Sequence, residues 1–353
     1  MTDALAARAL RGLVLGTAVG DALGLPMEGL GPRRAARLFP GPPRQRLLPG
    51  GGGLCSDDTE HMLFAAQALL AHPHEVAAFR RSLAWRLRGW LWGLPAGVGL
   101  ATLRAIARMH LGLREPGVRS AGNGPAMRAP VLGAALAHDP ARRVAYVAAS
   151  TRLTHIDPRA LTGALAVAEL AAWAARQRRL DRPPLDELLE LLAPLAPRQD
   201  EAWSMWLAAI ATGLERGDDV ATFAANMGLA RGVTGYIYHS VPLAIYAWHV
   251  HFGDYAATLA AVVALGGDTD SVGAIAGALA GAVVGEAGIP TAWRAGLREW
   301  PRGERVWLEV ADRLAGEGPY APVSYAWVAL LPRNVLFLAV VLVHGFRRLL
   351  PPY

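Results

Sequence analysis

The stretch Leu265-Gly266-Gly267-Asp268-Thr269-Asp270-Ser271 sets two carboxylates and a hydroxyl directly behind a pair of glycines. An apolar run follows with no charge before Glu286, so Asp268, Asp270 and Ser271 fall in the turn and first positions of a helix. Acidic groups are favoured there because the free N–H groups of a helix start carry partial positive charge. Three oxygen donors at one rigid helix start also suit a hard divalent cation, Mg²⁺ or Mn²⁺. Taken alone, helix capping is the better account of such a cluster.

A second cluster changes that balance. Ser56-Asp57-Asp58-Thr59-Glu60 also follows a glycine run, Gly50 to Gly53, and also opens an apolar helix, Met62 to Ala71. Two hydroxyl-plus-carboxylate helix starts, far apart in sequence, are what a two-cation site between facing helices requires.

The elements that must carry these turns are helices. Of 353 residues, 53% are hydrophobic; Ala, Leu and Gly dominate and β-branched residues are few. The net charge of +6 comes from arginine alone, since the chain has no lysine. The arginines are scattered, which argues against a nucleic-acid-binding stripe while leaving a basic rim able to attract phosphates. The single cysteine, Cys55, excludes an internal disulfide and fits a reducing compartment. Met1 to Leu10 has no signal-peptide core, so a cytoplasmic location is expected.

From Ala4 to Gly24 the pattern is helical, with Gly12, Gly16, Gly20 and Gly24 along one face. The run after Ser271 repeats the device with Gly273, Gly277, Gly281 and Gly285, predicting a tight central helix pair. That run falls short of the ~18 apolar residues needed to span a membrane. Asp21 interrupts the first helix, either facing solvent or recruited to a site, and Glu28 follows shortly. A Pro/Gly-rich loop is expected from Gly31 to Gly53. Gly97 to Gly99 reads as a connector whose bare backbone could also approach a ligand. Ser120 to Arg128 contains Gly122-Asn123-Gly124 before a helix, and its N–H groups could cradle a phosphate. Thr154-His155 precedes the helix start at Asp157-Pro158, and His155 reads equally well as a core histidine or a ligand contact. No alternating strand stands out, so the body is all-α and one domain.

In order along the chain, Arg11 to Gly16, Gly20-Asp21-Ala22-Leu23-Gly24 with Glu28, Ser56 to Thr59, Gly122 to Arg128, Thr154-His155, Gly235-Tyr236 with Pro242, and Gly266 to Leu279 resemble the motifs of the ADP-ribosylglycohydrolase family. The resemblance implies a compact orthogonal multi-helix fold over about 1–300 with a dinuclear metal centre at the base of an ADP-ribose cleft. It implies that Ser56, Asp57, Asp58, Asp268, Asp270 and Ser271 hold two divalent cations, Mg²⁺ or Mn²⁺. Asp57, Asp58 and Asp270 then stand nearest the chemistry, with Glu28 as a further carboxylate. Gly122, Asn123, Gly124 and Met127 would follow the diphosphate, His155 and Tyr236 the ribose or adenine, and Gly97 and Gly99 the same cleft. The implied reaction hydrolyses an ADP-ribosyl bond on a modified protein, with N-linked arginine favoured over O-linked serine or small conjugates. It would pass through an oxocarbenium-like state. A non-catalytic relative, such as the lens crystallins related to this family, would be free to lose ligands, and all six are present here.

The tail, 301–353, stands apart. Val323 to Leu331 and Val335 to Val343 are apolar runs split by Pro332-Arg333-Asn334, each too short to span a bilayer. Packing on the body is expected; burial in a partner or at a membrane surface, where Arg347-Arg348 could anchor to anionic lipid, is the alternative.

Overall fold

The two glycine-faced helices meet as their spacing predicts. In the computed structural model, which describes residues 4–177 and 181–351, they are α1 (Ala4–Gly24) and a later helix, Thr269–Val284. The outermost residues of the predicted body and tail, 1–3 and 352–353, lie outside the described residues. A Cβ added at Gly16 would sit 2.1 Å from the Gly277 carbonyl oxygen, and one at Gly20 would sit 2.0 Å from that of Gly273. The two backbones therefore touch directly, and any side chain in the seam would force them apart. Tyr255 closes the seam from one side, its Oη donating to the Gly16 carbonyl at 2.8 Å.

Around this pair pack α2 (Asp57–Ala71), α3 (Pro158–Arg176) and α4 (Ile237–Val250), with Thr269–Val284 as α5. Nearly all of α5 is buried, which is why it reads as apolar on every side rather than amphipathic. The described residues form seventeen α-helices and four 3₁₀ turns with no strand, so the all-α expectation holds. Six isolated backbone bridges tie loops together.

Two local readings change. The Gly31 to Gly53 loop contains a short helix, Pro32–Leu38, with Pro32 at its first position where a missing N–H is harmless. The first apolar run of the tail is irregular chain and a 3₁₀ turn, Trp327–Ala329, up to its last two residues. Those two, the Pro332-Arg333-Asn334 break and the second run lie in one continuous helix, α6 (Leu330–Arg347). Pro332 falls in its first turn, where an N–H has no helical partner to lose, so it does not break the helix. With the preceding turn, Trp327–Arg347 makes 21 residues of mean hydropathy 1.8, long and apolar enough to cross a membrane by length and composition. Only 17% of that stretch is buried.

One face of α6 does lie on the body. The buried Arg333 forms a bidentate pair with Glu299 (2.6 and 2.8 Å) and donates to the Cys55 carbonyl at 2.6 Å. Asn334 donates to the Gly93 carbonyl at 2.7 Å. Phe337, Val340 and Val341 pack with Leu25, Leu47 and Leu54.

Candidate functional site

The first acidic turn is built by its two glycines. Gly266 and Gly267 adopt φ of +69° and +83°, which L side chains rarely take. Backbone crowds them from both flanks, since a Cβ at Gly267 would lie 1.9 Å from the Val233 oxygen and one at Gly266 2.5 Å from the Leu30 oxygen. Gly267 N donates to Leu30 O (2.8 Å), Gly29 N to Gly267 O (2.7 Å) and Asp268 N to Val233 O (2.8 Å). This clamp between two other segments fixes the start of α5 and brings Glu28 beside it. Asp268 does not cap α5 through its side chain; it accepts from Asn123 Nδ2 at 2.6 Å.

The second turn is held by a residue from the first helix. Asp21 is fully buried on α1 and accepts from Ser56 N (3.0 Å), Thr59 N (3.1 Å) and Thr59 Oγ1 (2.5 Å). It thus caps α2 in trans, settling the open question about its role: it is recruited as a brace and does not line the cleft. Ser56 does cap α2, its Oγ accepting from Asp58 N at 3.3 Å, and it also donates to Asp58 Oδ2 at 3.1 Å.

The two turns meet. Ser271 Oγ donates to Asp58 Oδ2 at 3.3 Å, joining the cluster at 56–60 to the cluster at 268–271. Burial raises Asp57, Asp58 and Asp270 well above the ordinary carboxylate range, and their neighbouring carboxylates push them further. Glu28 is raised by burial and by Asp268, with Arg348 pulling it back. Asp21 is raised to about 6, chiefly by burial. Among the described residues none of these carboxylates forms an ion pair with an arginine. Asp58 Oδ1 is buried with no hydrogen-bond partner. Crowded oxygen donors, one of them orphaned, fit a hard cation in chemical type. As the side chains stand, however, no three Asp, Glu, His or Cys groups among the described residues are gathered closely enough to hold one ion.

From the acidic turns opens a cleft of about 570 Å³, a size that suits a nucleotide-sized ligand. Its opposite wall is the Gly122-Asn123-Gly124 loop, pinned to the Gly235-Tyr236 segment through Asn123 N to Gly235 O at 2.9 Å. Behind the loop lies Arg128, wholly buried without a counter-ion; burial lowers its pKa to about 10. It donates to Gly124 O (3.1 Å), to Ser150 O (3.0 Å) and Oγ (2.8 Å), and to Thr154 Oγ1 (2.6 Å). Thr154 Oγ1 also lies 2.8 Å from His155 Nδ1 in a hydrogen bond. Burial, then the Arg128 charge, lowers the His155 pKa to about 3, so the ring is neutral. Its Nε2 edge faces the glycine loop. The glycines bare that edge, because a Cβ at Gly122 would sit 3.1 Å from Nε2 and one at Gly124 3.3 Å from Cε1. The cleft wall is therefore a neutral imidazole edge flanked by exposed backbone.

The cleft gathers most of the predicted residues: Glu28, Asp57, Asp268, Asp270, Ser271, Gly97, Gly99, Gly122, Asn123, Gly124, Met127 and His155 all line it. Ser56 and Asp58 lie behind it, buried. Tyr236 stands half-buried beside the cleft, its ring 5.7 Å from the Arg159 guanidinium and its backbone bridged to Gly122. Sequence reading missed the roles of Asp21, Arg128, Thr102, Ser120 and Thr234, the last three of which line the cleft as hydroxyls. Arg128 carried a signal in hindsight: an arginine sandwiched in the apolar Ala126 to Ala137 stretch is costly unless it serves a network.

A family profile described as ADP-ribosylglycohydrolase matches residues 1–322. An uncharacterized protein of Archaeoglobus fulgidus is 33% identical over 298 residues, 82% of this chain and 91% of the relative. The ADP-ribosyl-[dinitrogen reductase] glycohydrolase of Rhodospirillum rubrum is 30% identical over 293 residues, 80% of this chain and 87% of the relative. Among solved structures, a chain of an ADP-ribosylglycohydrolase-related protein complex aligns with a TM-score of 0.63 at 28% identity, covering 88% of this chain and 98% of its own length.

Proposed function

The chain belongs to the ADP-ribosylglycohydrolase family and is a glycosidic-bond hydrolase acting on ADP-ribosylated proteins or ADP-ribose conjugates; from this we propose that it removes ADP-ribose from arginine side chains and depends on divalent cations. The observation that carries this reading is the polarity of the cleft. One end holds four carboxylates, Glu28, Asp57, Asp268 and Asp270, and no arginine is among the residues lining it. A guanidinium at the scissile bond, unlike a serine oxygen, brings positive charge to that end.

Ser56, Asp57, Asp58, Asp268, Asp270 and Ser271 would hold two cations, Mg²⁺ or Mn²⁺. When bound, the cations supply charge neutralisation and a Lewis-acidic grip on the ribose hydroxyls. The protein's own groups do the rest. The Gly122–Gly124 backbone and the His155 Nε2 edge receive the diphosphate and ribose oxygens. Glu28, on the exposed lip of the cleft with a raised pKa, takes the proton of the attacking water. The bond from ribose C1″ to the arginine nitrogen breaks through an oxocarbenium-like state, the water oxygen bonds to C1″, and the proton taken by Glu28 passes to the departing nitrogen.

The test is release of ADP-ribose from arginine- and serine-modified substrates, with and without Mg²⁺ or Mn²⁺. Expected is metal-dependent release from arginine, abolished by Asp57→Ala or Asp270→Ala in a protein that remains folded. Release from serine alone would move the substrate assignment, and binding of ADP-ribose without turnover on any substrate would end the catalytic reading.

A further inference from the structure

The outer face of α6 is apolar and bare. Leu331 (51% exposed), Val335 (54%), Leu338 (38%), Leu342 (51%) and Phe346 (67%) recur at helical spacing along it, so they form one stripe. The inner face carries polar side chains that bond the body, beside Phe337, Val340 and Val341. Besides Arg333 and Asn334, His344 bonds the Leu47 carbonyl at 2.7 Å, and Arg348 donates to the carbonyls of Leu25 (3.2 Å), Pro26 (2.9 Å) and Glu28 (2.5 Å). Such a helix does not span a bilayer, because insertion would strip Arg333, His344 and Arg348 of these partners and carry them into hydrocarbon. It lies flat, with a face of the wrong polarity for water.

Charge identifies what covers it. Residues 318–353 contain Arg333, Arg347 and Arg348 and no Asp or Glu. The segment that α6 packs against, 29–54, contains Arg33, Arg34, Arg37, Arg44 and Arg46, again with no Asp or Glu. The two are joined by the Arg34 guanidinium donating to the Arg348 carbonyl as well as by His344. Arg333 is spent on Glu299 and Arg348 lies beside Glu28, but Arg33, Arg44, Arg46 and Arg347 leave the surroundings of the exposed apolar helix basic. A second copy of the chain packed face to face would oppose these arginines to themselves. An anionic surface with an apolar interior satisfies both features at once. We propose that α6 docks the protein onto the surface of an anionic phospholipid membrane, lying in the interface plane with its apolar stripe inserted and the 29–54 arginines on the headgroups.

The experiment is co-sedimentation of the full chain with vesicles of phosphatidylcholine alone and of phosphatidylcholine mixed with phosphatidylglycerol, at low and high salt. Expected is binding to the anionic vesicles only, reduced as salt rises. The double variant Leu342→Asp/Phe346→Asp, both positions outward-facing and outside the cleft, should bind at least about tenfold more weakly, given what two buried apolar side chains contribute. Its ADP-ribose-releasing activity in solution should match that of the wild type. Absence of binding at low salt, or equal binding by the double variant, overturns the proposal. So does a wild-type dimer in light scattering that the double variant dissolves while vesicles bind neither, which would assign the face to a second copy.

Discussion

Substituting Gly20→Ala tests whether the glycine seam sets the geometry of the acidic cluster. The added methyl would lie 2.0 Å from the Gly273 carbonyl oxygen and 2.6 Å from its carbon, where an ordinary contact begins at 3.4 Å. The backbones of α1 and α5 must then part by more than about 1 Å. Asp21 moves with α1 and carries the Ser56 turn through its bonds to Ser56 and Thr59, while Asp270 and Ser271 move with α5. The 3.3 Å contact from Ser271 Oγ to Asp58 Oδ2 is thereby broken. Overpacking of this kind costs about 1–3 kcal/mol, or a melting temperature lower by roughly 2–8 °C. A displacement of ~1 Å in a catalytic constellation costs up to about 10²-fold in rate. Gly12→Ala is the control: its methyl would lie 2.0 Å from the Gly281 oxygen, an equal insult at the far end of the seam. Melting temperature and ADP-ribose release, measured on both variants, should show similar destabilisation but a much larger loss of activity for Gly20→Ala. An unchanged melting temperature for Gly20→Ala, or equal activity losses in the two variants, refutes the reasoning.

Two further outcomes follow from the site. Gly122→Ala would cover the His155 Nε2 edge at 3.1 Å and should raise KM several-fold with little change in melting temperature; an unchanged KM would remove His155 from substrate binding. In chelator-treated protein, the buried carboxylates have folded pKa values above their unfolded ones, so the folded state binds more protons and stability falls as pH rises. The melting temperature should therefore rise as pH is lowered from 7 through the Asp21 value of about 6. Added Mg²⁺ or Mn²⁺ should stabilise most at the high end of that range, and a pH profile of the opposite slope without cations would refute the cluster electrostatics.

Much of this protein is local in origin and so legible in its sequence. Glycines at every fourth position can do little on a helix except admit another backbone, which identified α1 and α5 as partners before any contact was known. A hydroxyl and carboxylates behind a glycine turn identify a helix start with oxygen donors, and four of those six side chains, Asp57, Asp268, Asp270 and Ser271, line the cleft. The tail shows where such reading fails. Pro332 reads as a break from composition, yet in a first turn it interrupts nothing, so the second run is part of a longer helix that starts before the proline.

What tertiary structure alone decided are relations between distant segments. Asp21 is an anomalous acid in an apolar helix until Ser56 and Thr59, 35 and 38 residues on, donate to it. The ring of Tyr236 meets the Arg159 guanidinium from another helix start. His155 is held neutral by burial and by the Arg128 charge behind the Thr154 hydroxyl. The physical reason is common to all three: sequence dictates what a residue offers, whereas burial and partners, which set its charge and direction, exist only once the helices have packed.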